Sequence, residues 1–436
     1  MEIKTVTVIG ANGTMGCNIA GIFASFGKCK VYMVCRSMEK AQAAIPKSIK
    51  SIRAEAIGER YIPATYDDLP QCIPESDLIF ESVSENFATK QDIIERIRDY
   101  VPEHAILATG TSGLSINAMA ELYPEHLRPR FMGMHFFNPP YAMTLCEIIN
   151  STYTDKALSD ELFDYSENVL HRAAVRVHDT AAFLGNRIGF QFINEAIQYA
   201  EKYKDNGGVD YIDAIIGQFT GRNMGPIATA DFVGLDVHKA IVDNIYENTK
   251  DYAHSTFVLP EYVQNLIDEG KLGRKTKQGL YKQVVSESGK RIQYVYDIST
   301  GEYREKIKYR FPFAARMIEH LHAGEYAEAF ASLEHNHSIE AEICLSFLIK
   351  YVLYAITVAR TSSDDIRFAD DAMATGFGWV PPLAVIDAFG GVEKFKELAR
   401  DRLSSELRAA INLDRTLEDL PLPSKYDYRS YFKGKQ

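Results

Sequence analysis

KTVTVIGANGTMGCNIAGIF, residues 4–23, is the stretch whose reading decides the fold. Residues 4–9 form an apolar, β-branched run, which suits a strand buried on both faces. The run ends at Gly10-Ala11-Asn12-Gly13-Thr14-Met15-Gly16, and from Met15 to about Phe26 the apolar residues take helical spacing. Strand, glycine-rich turn and helix in that order leave the first N–H groups of the helix facing a ligand, where a pyrophosphate can accept from them. The early glycines allow a tight turn and a close approach of the backbone. In this context Gly10, Asn12, Gly13, Thr14, Met15 and Gly16 read as a dinucleotide-binding turn. An ordinary glycine-rich loop is the alternative, because the spacing departs from the commoner G-x-G-x-x-G.

The pattern continues outward from this turn. KVYMVC (30–35), SDLIFESV (76–83), HAILATG (104–110), RFMGMHFF (130–137) and TLCEII (144–149) read as strands, and 38–57 as a charged, helix-prone segment. The alternation predicts a Rossmann-like α/β domain with a doubly wound parallel sheet over residues 1–180. Near 180 the character changes to helical spacing, which predicts all-α C-terminal domains. The expected boundaries are a first helical domain at 181–283, a linker or hairpin at 284–340, and a second helical domain with a tail at 341–436. The second resembles the first: Pro226, Asp231 and Gly234 recur at the same intervals as Pro382, Asp387 and Gly390, each set after an apolar helix. A duplicated helical unit is expected.

A formal net charge of -11 over 436 residues argues against a general nucleic-acid binder, which needs basic surface. It leaves room for a locally positive pocket. The six cysteines are scattered without C-x-x-C or His spacing, so neither a metal site nor a disulfide framework is expected. No signal peptide is read, and no apolar stretch is read as reaching the ~18 residues of a membrane span. A cytoplasmic protein without membrane association is the expectation. About 20 positions after the turn, an acidic residue usually holds the 2′-hydroxyl of NAD. Here Arg36 and Ser37 stand there, a pair able to accept a 2′-phosphate, so the reading leans to NADP over NAD.

RFMGMHFFNPPYAMTLCEII (130–149) resembles the signature of the 3-hydroxyacyl-CoA dehydrogenases. ESVSENFATKQ (81–91), ILATGTSGLSI (106–116), FLGNR (183–187), MGPIATADFVGLD (224–236) and LGRKTKQGLY (272–281) are similar to further segments of that family, in order, over roughly residues 1–283. The second helical copy is similar to the duplicated domain of the family's longer members. The resemblance implies an oxidoreductase of acyl-CoA metabolism that uses NAD or NADP. His135 matches the family's base, Glu147 the carboxylate that orients it, Ser112 the hydroxyl on the substrate oxygen, and Asn186 the amide that completes the site. Histidine suits this role because its pKa lies near operating pH. The resemblance also implies that Glu85, Lys90 and Asn138 contact the cofactor. Lys50, Ser51 and Arg53, with Lys47, lie where the family holds the CoA nucleotide, although the segment is shorter here. Two positions depart from the family: Gly110 stands for a usual Asn, and Gly113 for a usual Ser or Thr.

Two other readings stay open. Related folds oxidise free 3-hydroxy acids such as gulonate, and a cofactor-binding regulatory or scaffold protein without catalysis is the alternative of another class. Single-copy family members dimerise through the helical domain. The expected assembly is therefore a homodimer, or a monomer in which 341–413 packs on 183–283 as an internal pseudo-dimer.

Overall fold

Strand β1 (Thr5–Ile9) is almost wholly buried, and helix α1 (Thr14–Ser25) leaves it through the glycine turn. The structure is a computed structural model describing residues 2–285, 289 and 291–434. β2 (Lys30–Cys35) leads into α2 (Met38–Ile52), and β3 (Tyr61–Thr65), β4 (Leu78–Glu81), β5 (Ile106–Thr109) and β6 (Phe131–Phe136) follow. β7 (Leu145–Asn150) and β8 (Ala173–His178) complete one sheet in the order β3-β2-β1-β4-β5-β6-β7-β8. Every neighbouring pair is parallel except β6 with β7. The chain order reverses between β1 and β4, which opens a crevice at the C-terminal ends of the parallel strands.

Two strands escaped the sequence reading. β3 contains Pro63 and is half-buried, as an edge strand can be, since it needs fewer ladder donors. β8 lies at the other edge, just before the change to helical spacing near 180.

The chain divides into two compact units. The first holds residues 1–184 together with 362–376; the second holds 185–361 and 377–436. Within the first unit, Ser363 bridges to Val177 of β8, and His178 Nε2 lies 3.0 Å from Asp364 Oδ1. Phe368 packs on Phe163. A segment from the second helical copy thus finishes the sheet domain, an exchange that sequence spacing does not announce.

The second unit gathers helices of both copies. Helix Gly185–Lys202 and helix Ile339–Ser362 meet through Phe192, which lies 5.3 Å from Phe347 and 5.6 Å from Tyr351 between ring centroids. Glu195 and Lys350 form an ion pair at the same contact. Pro226 and Pro382 each open a short helix, and Gly234 and Gly390 follow those helices with positive φ. The copies diverge at the aspartate: Asp231 is buried and holds a loop, whereas Asp387 is exposed. Residues 284–340 are more than a linker. They carry β10 (Arg291–Tyr296) and β11 (Tyr303–Glu305), which join β9 (Tyr281–Val285) in an antiparallel sheet, and then two helices, Pro312–Ala323 and Tyr326–Glu334.

One sequence expectation is corrected. Helix Ile339–Ser362 is long and apolar enough to cross a membrane by length and composition, yet 78% of its apolar window is buried inside the protein. The interior of the second unit accounts for that hydropathy, as it does for any core helix.

Burial in this unit has a testable acid consequence. His238 is fully buried, and its Nε2 lies 2.9 Å from Asn194 Oδ1, so Nε2 carries the proton of the neutral ring. Burial pushes its pKa down from 6.5 to about 3. Between those values the unfolded chain binds the extra proton, so stability is lost as pH falls through 6.5. At pH 5 the loss is about 2 kcal/mol. His238→Gln is expected to flatten this part of the pH dependence when urea unfolding is compared at pH 7 and pH 5. An equal loss in both proteins would contradict the assignment.

Candidate active site

The glycine turn packs against backbone, with no room for a side chain at Gly10 or Gly16. Gly10 has φ +86°, and a Cβ there would meet the Ser82 carbonyl oxygen, in the turn after β4, at 2.5 Å. A Cβ on Gly16 would meet the Gly10 carbonyl oxygen at 2.5 Å. Helix α1 has Gly13 as its N-cap, so it lacks a side-chain cap, and it has no acid in its first turn. Its first N–H groups therefore remain available to an anion at the crevice. Asn12 and Thr14 are exposed and Met15 is half-buried. At the end of β2, Arg36 is exposed, and Ser37 is the N-cap of α2, accepting from the Lys40 N–H at 3.4 Å. Lys50 and Arg53 are exposed at the end of α2, while Ser51 Oγ donates to the Ser48 carbonyl at 2.9 Å.

Across the crevice, β4 ends in Glu81, which is buried. Its carboxylate takes Lys90 Nζ at 2.9 and 3.0 Å, Thr109 Oγ1 at 2.6 Å and the Val83 N–H at 2.6 Å. Lys90 itself is 1% exposed, so its ammonium is committed inward, with Glu85 a second partner at 3.5 Å. Glu85 is exposed and accepts from Thr111 Oγ1 at 2.6 Å and from the Ser112 N–H at 2.8 Å. These bonds fix the loop that carries Ser112, whose hydroxyl has no partner among the described residues. Sequence reasoning missed Glu81. The signal was present: Lys90 shares one helical face with Ile93, Ile94 and Ile97, and a lysine in an apolar stripe needs a buried acid. Gly110 also finds its reason here, because a Cβ would meet the Phe80 ring at 2.8 Å.

His135 lies near the end of β6, and antiparallel pairing sets it directly opposite Glu147 of β7. Nδ1 and Oε2 are 2.7 Å apart, with the imidazole 4% exposed and the carboxylate fully buried. The other carboxylate oxygen accepts the Leu184 N–H at 3.2 Å. Phe137 and Phe183 flank the imidazole at 4.6 and 5.8 Å between ring centroids. The Nδ1 proton faces the carboxylate, so Nε2 is the nitrogen left to exchange a proton with a ligand. Asn138 is exposed just after β6. Asn186 belongs to the second unit, where it is buried in the first turn of helix Gly185–Lys202. The first unit thus holds two clusters on neighbouring parts of the sheet, Glu81, Lys90, Glu85 and the Ser112 loop after β4 and β5, and His135 with Glu147 on β6 and β7, while Arg36, Ser37 and α2 follow β2 on the other side of β1.

The sheet order, the glycine turn opening onto an uncapped helix and a buried His–Glu pair at the C-terminal edge define a nicotinamide-dinucleotide oxidoreductase domain. Residues 5–180 match the model of the 3-hydroxyacyl-CoA dehydrogenase NAD-binding domain, and 183–283 match that of the 3-hydroxyacyl-CoA dehydrogenase C-terminal domain. The chain belongs to the 3-hydroxyacyl-CoA dehydrogenase family. It is 30% identical over 348 residues to a probable 3-hydroxyacyl-CoA dehydrogenase of Bacillus subtilis, covering 78% of this chain but 42% of that relative. It is 31% identical over 294 residues to the human mitochondrial hydroxyacyl-coenzyme A dehydrogenase, covering 64% of this chain and 91% of the relative. The crystal structure of 3-hydroxybutyryl-CoA dehydrogenase from Escherichia coli superposes with a TM-score of 0.70 at 22% identity, over 95% of this chain and 98% of that one, a likeness of fold.

Proposed function

We propose that this chain catalyses reversible hydride transfer between a nicotinamide dinucleotide and C3 of an acyl-CoA, interconverting (S)-3-hydroxyacyl-CoA and 3-oxoacyl-CoA. The His135–Glu147 pair carries the reading, together with the thioester substrates named for the relatives. Nε2 of His135 takes the C3 hydroxyl proton, Glu147 stabilises the imidazolium that results, and Ser112 Oγ donates to the same oxygen. When bound, the nicotinamide accepts or supplies the hydride. Phe137 and Phe183 keep water from the imidazole. Lys50 and Arg53, exposed at the end of α2, meet phosphates of CoA. The test sets acetoacetyl-CoA beside free acetoacetate and free hydroxy acids. Turnover on the thioester and none on the free acids supports the reading; the reverse makes the protein a dehydrogenase of free acids.

The cofactor reading is NADPH over NADH. It is supported by Arg36 and by the absence of an acid at the end of β2. In Arg36→Asp the ratio of kcat/KM for NADPH to that for NADH is expected to fall by about tenfold or more, because a charge-assisted phosphate contact is lost. A wild type that prefers NADH, or an unchanged ratio in the variant, overturns this part.

A further inference from the structure

The loop LGRKTKQGLY (272–281) takes no part in the chemistry above, yet the second unit holds it firmly. Asp231 Oδ1 accepts the Leu280 N–H at 2.6 Å and the Tyr281 N–H at 3.3 Å. Gly273 and Gly279 press so closely on Asp231 that a Cβ on either would meet it at 2.2 or 2.3 Å. Tyr281 OH donates to Asp213 Oδ2 at 2.7 Å. Beside this loop lies a cavity of about 530 Å³, within the range of small-molecule sites. Its other wall is the β9–β10 hairpin, most of which lies beyond the residues that match the family's domains.

The chemistry of the lining is one-sided. Arg274 and Lys277 reach it from the loop, and Arg291 from β10, where the register sets it opposite Val285. None of the three has an ion-pair partner among the described residues, whereas their neighbour Lys275 pairs with Asp236. The carboxylate on the wall, Asp231, is buried and turned to backbone N–H groups. On an acidic protein such a concentration of unpaired cations is a local anion trap. It also has a platform and two readers. Phe232 is 46% exposed, with the Arg274 guanidinium 5.0 Å from its ring. Gln283 and Gln293 pair across the hairpin and line the same wall. Cations for phosphates, an aromatic face for stacking and amides for a ring edge together suit a nucleotide.

We propose that this cavity binds a nucleoside polyphosphate, with Arg274, Lys277 and Arg291 on the phosphates and the base against Phe232. The site lies within the second unit, whereas the dinucleotide turn belongs to the first. The test uses the full chain saturated with NADPH and acetoacetyl-CoA analogue, so that the sites of the proposed reaction are filled. ATP, ADP, adenosine and inorganic phosphate are then titrated calorimetrically, and amide hydrogen exchange locates the contact. ATP or ADP is expected to bind the saturated protein, to protect 272–285 and 291–296, and to lose about tenfold or more in affinity in Arg274→Glu/Arg291→Glu. Lys277→Gln, a milder change at an exposed residue, is expected to weaken binding in the same sense. Turnover in these variants should stay within about twofold, since the charges touch no reacting group. No binding to the saturated protein, protection confined to the residue 10–16 turn, or unchanged affinity in the variants would overturn the proposal. So would inorganic phosphate that binds as tightly as ATP. None of these outcomes bears on whether the chain reduces acetoacetyl-CoA, so the two readings fail separately.

Discussion

In His135→Gln, turnover on a 3-oxoacyl-CoA is expected to fall by on the order of 10²–10⁴-fold while the protein still binds its dinucleotide. Glutamine fills much of the imidazole's space between Phe137 and Phe183 and can still bond to Glu147. It cannot take or return a proton near neutral pH. The glycine turn and its uncapped helix lie on β1 and α1 and do not depend on the imidazole. The drop should therefore appear in kcat, with the cofactor's dissociation constant little changed. Fluorescence titration of the reduced cofactor and stopped-flow turnover separate the two. Turnover near that of the wild type would remove His135 from the chemistry.

Glu147→Gln should cost about as much, for a different reason. The carboxylate divides its oxygens between His135 Nδ1, at 2.7 Å, and the Leu184 N–H, at 3.2 Å. A glutamine keeps one carbonyl oxygen. With that oxygen on Leu184, the amide N–H₂ faces Nδ1, which must then accept. The imidazole proton moves to Nε2, and the nitrogen meant to be the base becomes a donor. The same tautomer reversal in a serine-protease triad lowers kcat by about 10⁴-fold, and a loss of similar order is expected here. Stability should not fall with it, because the substitution removes a buried charge and keeps the packing. The decisive pattern is lost turnover with unchanged or raised thermal stability. A variant that loses activity only in proportion to lost folded protein would reduce Glu147 to a structural part.

How much of this could be read from the chain follows from where each signal lies. The β1 turn was legible because strand, glycines and helix are contiguous, and glycine is required at Gly10 by φ and by the Ser82 carbonyl. His135 and Glu147 were legible through the family's motif, and the β6–β7 register that brings them together is local to one antiparallel pair. The Glu81–Lys90 pair was harder, since it joins a strand end to a helix face and each residue alone passes for a surface charge. β3 and β8 were hidden by their edge positions: Pro63 blurs one, and the onset of helical spacing blurs the other. The transfer of residues 362–376 to the first unit was out of reach, because nothing in the spacing of a duplicated helix says which neighbour it will complete. The β9–β11 sheet was an open choice between hairpin and linker, since alternation among polar residues signals a strand only weakly. The apolar run in helix Ile339–Ser362 was undercounted because Lys350 interrupts it, and that lysine is neutralised internally by Glu195.

The most direct test of the central claim is steady-state reduction of acetoacetyl-CoA by the purified full chain, followed by oxidation of the nicotinamide with NADPH and NADH in parallel. The account predicts reduction that depends on the thioester, yields the (S)-3-hydroxy product and falls by on the order of 10²–10⁴-fold in His135→Gln. A protein that binds the reduced cofactor tightly but oxidises none of it across a range of 3-oxoacyl-CoA chain lengths would contradict it.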